Sequence, residues 1–185
     1  ENKDSEFTWQ DFQDRVNNEL GNNLGNFVKR VSDLLHKFYD GVVPMLENAD
    51  IDEDIIDLDN NFFNREISSL HNESVRAINE FRFKEAMQIV MQISSRGNKY
   101  LQDTEPWKLI KTDELKVKRI MRISYLIIDS LYLTLQPLLP NTALKIKQIF
   151  KLDESLEKIK INPSEILFPK IEDEQVAFQV EKLNK

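Results

Sequence analysis

Asn98-Lys99-Tyr100-Leu101-Gln102-Asp103-Thr104-Glu105-Pro106-Trp107-Lys108-Leu109 is the stretch on which the fold turns. Before it, Phe83, Ala86, Met87, Val90, Met91 and Ile93 recur at helical spacing, and Tyr100 and Leu101 continue the pattern, so a helix runs through Asn98 toward Thr104. Pro106 stops that helix, because proline has no N–H to donate and disfavours helix in the residue before it. Trp107 therefore stands on a corner. An indole placed there either plugs the end of a helix bundle or offers a platform to something flat and aromatic.

Upstream of this corner the same period recurs. Thr8, with Asp11 three positions on, reads as an approximate capping box opening a long first helix. Phe12, Val16, Leu20, Leu24, Phe27, Val31, Leu35 and Phe38 form its apolar stripe, and Asp40-Gly41 with Pro44 ends it. Gly21 and Gly25 inside it each cost about 1 kcal/mol relative to alanine, which points to a close neighbour, a kink or a ligand at the backbone, with close packing the commonest cause. A second helix is expected from about Leu58 through Phe62, Phe63, Ile67, Leu70 and Ile78, and the third begins near Phe83.

Downstream, Asp113 opens a fourth helix carrying Val117, Ile120, Met121, Tyr125, Ile128, Leu131 and Leu135. Pro140 and Asn141 lead into a short fifth with Ala143, Leu144, Ile146 and Phe150. The short links predict an all-α antiparallel bundle of four long helices plus a short fifth. Residues 1–172 are expected to form that domain, with a C-terminal tail over 173–185, helical over about 173–183, laid against it.

With 185 residues and no cysteine, the chain has room for one real core and carries neither a disulfide framework nor a thiolate metal site. No apolar run approaches 18 residues and no leader-like start is present, so a cytoplasmic protein without membrane attachment is expected. The net charge of −7 argues against gripping nucleic acid, DNA above all, over the whole surface. That charge is uneven: acids gather over residues 47–59, whereas Lys108, Lys111, Lys116, Lys118, Arg119 and Arg122 follow the corner. Both runs read first as solvated faces or a loop.

Catalytic and metal patterns are absent from the sequence. A di-metal bundle needs Glu-x-x-His pairs, but His36 and His71 follow Asp33 and Ser68 at that spacing. No phosphate-cradling glycine loop, nucleophile elbow or zinc spacing occurs. Asn26 and Arg30, one turn apart and set off from the stripe, could read base edges while Trp107 stacks a base. Spacing alone leaves open the alternative that Asn26 and Arg30 are ordinary surface residues and Trp107 a cap on the core.

The run Phe7-Thr8-Trp9-Gln10-Asp11-Phe12, then Arg15, Glu19-Leu20, Asn23-Leu24-Gly25-Asn26 and Arg30, with Asp40-Gly41 and Pro44, resembles the start of the anticodon-binding domain of methionyl-tRNA synthetases, which are class I enzymes. Asn98-Lys99-Tyr100-Leu101, Glu105-Pro106-Trp107-Lys108-Leu109, Leu138-Leu139-Pro140 with Thr142-Ala143, and Leu167-Phe168-Pro169-Lys170-Ile171-Glu172 follow in that family's order. The resemblance implies a helix bundle that receives the CAU anticodon of methionine tRNA and supports aminoacylation by a catalytic domain of the same polypeptide. ATP and methionine would bind that catalytic domain, whose signatures these residues lack, so the chain alone is expected to be inactive and to hold no cofactor.

By position, Asn26, Arg30 and Trp107 match the family's anticodon-recognising residues, and they are expected to lie close in space. Lys108 and Lys111, beside Trp107, are candidate phosphate contacts. Trp9 and Tyr100 match aromatic positions assigned to packing. The reading from another class is a non-enzymatic helical scaffold that binds a protein partner through its acidic segment or tail; it needs an exposed apolar groove, where the first needs a positive patch centred on an aromatic ring.

Overall fold

A computed structural model describes residues 7–45, 61–153 and 159–183. The acidic run lies almost wholly outside these residues. Among the described residues the chain is helical, with one isolated antiparallel bridge between Val42 and Lys160 and no strand. We number the helices α1 (Trp9–Asp14), α2 (Asn26–Tyr39), α3 (Ser68–Asn79), α4 (Phe83–Thr104), α5 (Pro106–Leu109), α6 (Glu114–Leu135), α7 (Pro140–Phe150) and α8 (Asp173–Leu183).

The first predicted helix is one rod in three parts, because Arg15–Gly25 between α1 and α2 is wound as a π-helix. Its wider turn brings carbonyls five residues back beneath the two glycines. A Cβ on Gly25 would lie 3.2 Å from the Leu20 carbonyl oxygen and 3.4 Å from Cδ2 of Phe168. The neighbour the glycines called for is thus the returning tail. Asn17 fastens it: its carboxamide donates to the Ile171 carbonyl at 2.9 Å and accepts from the Ile171 N–H at 2.9 Å. Gln13 adds bonds to the Ile171 carbonyl and to Asp173.

The other end of the rod is also tied to the returning chain. Asp40 takes the left-handed conformation at the C-cap of α2, Gly41 follows with φ of 80°, and the Ile161 N–H donates to the Gly41 carbonyl while Val43 donates to Ile159. A second π stretch, Phe62–Ile67, leads into α3. Phe62 lies 4.8 Å from Tyr100 in a nearly parallel stack, so Tyr100 packs as expected.

α6 forms the centre of the bundle. It packs on α2, α3, α4 and α7, and buries Val117, Ile120, Met121, Ile127, Ile128 and Leu131 among others, which an amphipathic surface helix would not do. Its buried hydroxyls are handled locally: Ser124 and Thr134 donate to carbonyls one turn back. Asp113 caps its start by accepting the Lys116 N–H at 3.0 Å. Asp113→Ala should therefore lower stability by about 1 kcal/mol, read as a fall in the thermal midpoint.

Three stripe residues do not reach the core. Phe12 is 41% exposed and joins Phe7 and Trp9 in a surface aromatic cluster, where Trp9 stands edge-on to both. Phe83 and Leu144 are likewise exposed. Phe83 opens its helix, whereas Leu144 lies near the middle of α7. His36 and His71 are half-buried and bonded to Ser32 and Thr134, as boundary residues.

Candidate functional site

The corner is built from α4, α5 and α2. α4 ends when Glu105 turns into the left-handed region at φ of 44°, its N–H donating to the Leu101 carbonyl. Pro106 then starts the single turn of α5, where its missing N–H costs nothing. This reversal puts Trp107, half-buried, beside the rod instead of over the bundle's end.

Arg30 reaches across from α2. Its guanidinium carbon lies 5.7 Å from the centre of the Trp107 ring, within cation–π range. The three residues singled out by the sequence meet here, and Asn98 of α4 links them. Its side-chain oxygen accepts from Asn26 Nδ2 at 3.2 Å and from an Arg30 terminal nitrogen at 3.2 Å. Its amide nitrogen donates to the Asn23 and Ser94 carbonyls at 3.0 and 3.2 Å. Asn23 in turn donates to the Met91 carbonyl and to Ser95 Oγ, both at 2.9 Å.

The rod and α4 approach closely because Gly97 has no side chain. A Cβ there would fall 2.4 to 2.8 Å from three ring atoms of the fully buried Phe27. Only that separation lets a side chain as short as asparagine span the two helices. Asn98, Asn23 and Gly97 were not assigned a role from sequence. One signal was present: Asn98 follows Met91, Ser94 and precedes Leu101 on the inward face of α4, and a carboxamide on such a face must find partners.

Electrostatically, Arg30 stands apart from its neighbours. Lys29 pairs with Asp33, Lys99 with Asp103 and Arg96 with Glu66. Arg30 has no carboxylate partner among the described residues, and loss of solvation holds its pKa below the ordinary arginine value. Lys108 is exposed and bridges to Glu105 at 2.8 Å; Lys111 is exposed on the turn after α5. Exposed pairs of this kind are worth little, so a phosphate can take Lys108 from Glu105 at small cost. Among the described residues no cluster of three or more acids or histidines is placed to hold a metal ion, and no helix is long and apolar enough to cross a membrane.

Residues 59–184 match the family described as the anticodon binding domain of methionyl tRNA ligase. The chain belongs to that family. Residues 1–32 match a second family, class I tRNA synthetases of the methionine type. The methionine–tRNA ligase of Christiangramia forsetii is 40% identical over 202 residues, spanning 99% of this chain and 28% of that protein. That of Pyrococcus horikoshii is 37% identical over 186 residues, covering 96% of this chain and 25% of the relative. Among solved structures, the free methionyl-tRNA synthetase of Mycobacterium tuberculosis shares the fold, with a TM-score of 0.73 at 19% identity over 92% of this chain and 36% of that one. This anticodon-binding domain thus spans little more than a quarter of the length of the curated relatives it matches.

Proposed function

We propose that this domain recognises the CAU anticodon of methionine tRNA at the surface formed by Asn26, Arg30 and Trp107, and that it does so in support of aminoacylation by a catalytic domain elsewhere in a cytoplasmic ligase. The observation that carries the reading is a cation with no carboxylate partner among the described residues: Arg30, lying over Trp107 and held by Asn98 next to Asn26. Anticodon bases are splayed from their stack and are bound by aromatic faces, guanidinium planes and amides on their edges, and these three side chains supply one of each. Trp107 offers the stacking face, Arg30 a flat cation for a base edge or phosphate, and Asn26 a donor and acceptor pair. ATP and methionine belong to the catalytic domain in this reading, and the chain by itself should show no methionine-dependent ATP–pyrophosphate exchange above background.

Lys108 and Lys111 are placed to hold the phosphate backbone. Because phosphate contacts position without reading sequence, removing both charges should weaken methionine tRNA and an anticodon-changed tRNA about equally, and lower the salt slope of log Kd by about 2. Binding isotherms at several salt concentrations check this. The scaffold reading is less well supported: a cleft of about 480 Å³ between the rod and the tail is lined by amides such as Gln10, Asn18 and Asn22 and is not an apolar groove. The test of the reading is whether the purified domain binds a methionine tRNA anticodon stem–loop; no binding at low salt would overturn it.

A further inference from the structure

We propose that Asn98 is a positioning residue for anticodon reading: it touches no base itself, but its one side-chain oxygen fixes the two side chains that do. The proposal rests on the anticodon reading above. The geometry is specific. A single carboxamide oxygen accepts from Asn26 and from Arg30 at 3.2 Å each, and the Asn98 carbonyl lies 3.5 Å from the same arginine nitrogen. Arg30 has four flexible side-chain bonds and no acid to anchor it among the described residues, so these contacts and the Trp107 face hold its position there. Asn26 is exposed, and the bond to Asn98 fixes which edge of its amide is left for a base.

The other half of Asn98 explains how the oxygen is aimed. Its NH2 group donates to the Asn23 carbonyl on the rod and the Ser94 carbonyl on its own helix, so the amide cannot flip without losing both bonds and setting oxygen against oxygen. Asn23 is itself fixed on α4 through Met91 and Ser95. Donor half and acceptor half therefore have separable tasks: one joins the helices, the other presents Asn26 and Arg30.

Two substitutions separate these tasks. Asn98→Ala removes both halves, whereas Asn98→Asp keeps an oxygen facing Arg30 and Asn26 and loses the donor. The measurement that a merely structural role would not move is Trp107 fluorescence in a Trp9→Phe background, since the cation at 5.7 Å shields the indole and alters its emission. Asn98→Ala should shift Trp107 emission and make acrylamide quenching steeper in the free protein. Asn98→Asp should melt earlier than wild type yet keep the wild-type emission and quenching.

For methionine tRNA, Asn98→Ala should lose roughly tenfold in affinity, the size expected for hydrogen bonds to a charged group. On an Arg30→Ala background the same change should add clearly less than that tenfold loss, what is left passing through Asn26, because residues that act through one another are not additive. Unchanged emission and quenching in the alanine variant, or an aspartate variant that is folded but has lost the Trp107 signature, would overturn the positioning role. Should the alanine variant not fold, the aspartate variant decides alone on the same criterion. A changed signature in a protein whose wild type does not distinguish anticodons would instead overturn the anticodon reading and leave the hold of Asn98 on Arg30 standing.

Discussion

Trp107→Ala is expected to weaken binding of methionine tRNA by about 1–3 kcal/mol, roughly 5- to 150-fold, while the bundle stays folded. The indole is half-buried and sits on a one-turn helix at the edge of the fold, so its removal deletes a stacking face and leaves no cavity at the centre. The loss should fall unevenly. Cognate tRNA should lose much of its advantage over a tRNA with a changed anticodon, because on the proposed reading the contact removed is to an anticodon base and not to phosphate. Arg30→Ala should also reduce that advantage, and part of its effect should shrink as salt rises, since a guanidinium can contact phosphate as well as a base edge. The stacking loss should be less sensitive to salt. Equilibrium binding of both tRNAs to both variants, with thermal melts alongside, checks the pattern. A Trp107 variant that melts early and binds normally once folded would make the indole a structural cap.

A second large effect is expected at Gly97, which contacts no ligand in this account. Gly97→Ala gains about 1 kcal/mol of helix propensity, but its Cβ would collide with the Phe27 ring at 2.4 to 2.8 Å. Neither side can yield easily: the ring is fully buried in the core and the alanine is part of a long helix. Overpacking of this kind costs about 1–3 kcal/mol or more, and separation by a few tenths of an ångström does not relieve so short an approach. A net loss of up to about 2 kcal/mol is expected, or a thermal midpoint lower by as much as roughly 4–8 °C. The same displacement draws Asn98 away from Asn26 and Arg30, so anticodon discrimination should fall together with stability. Phe27→Leu in the same chain should restore part of both. An alanine variant as stable as the starting protein would show that the two helices can part freely, and that their spacing does not set the site.

Gly97 also shows where the sequence stops being legible. The helices themselves were readable, because their apolar residues recur every three or four positions and because Pro106, Pro140 and the Asp40-Gly41 pair mark ends that chain chemistry enforces. α4, α6 and α7 lie where that pattern puts them, and Asp113 caps α6 as its position implied. The π winding of Arg15–Gly25 was not readable. Val16, Leu20 and Leu24 recur every fourth residue, a spacing that an α-helix also accommodates over two turns, and only Gly21 and Gly25 hinted at the tail they admit. Phe12, Phe83 and Leu144 were placed inside by period, but burial also needs a neighbour at that height, and periodicity says nothing of neighbours.

The candidate site was half legible for a related reason. Residue type and resemblance picked out Asn26, Arg30 and Trp107, since each bears a group that bases are known chemically to engage. What brings them together is a contact between helices, set by an absent side chain at Gly97 and completed by Asn98. Those two are adjacent in sequence, yet the distance they set is to Phe27, Asn26 and Arg30 on another helix. No local pattern encodes such a distance.

The central claim is that this domain reads an anticodon at Arg30 and Trp107, and the most direct measurement is the affinity of the wild-type chain for two anticodon stem–loops that differ only in one anticodon base. With the CAU loop and a loop carrying one changed base compared at equal salt, the account predicts a preference for CAU of roughly tenfold or more, much reduced in Trp107→Ala. Equal affinity for the two loops, or a preference undiminished by the loss of Trp107, would contradict it.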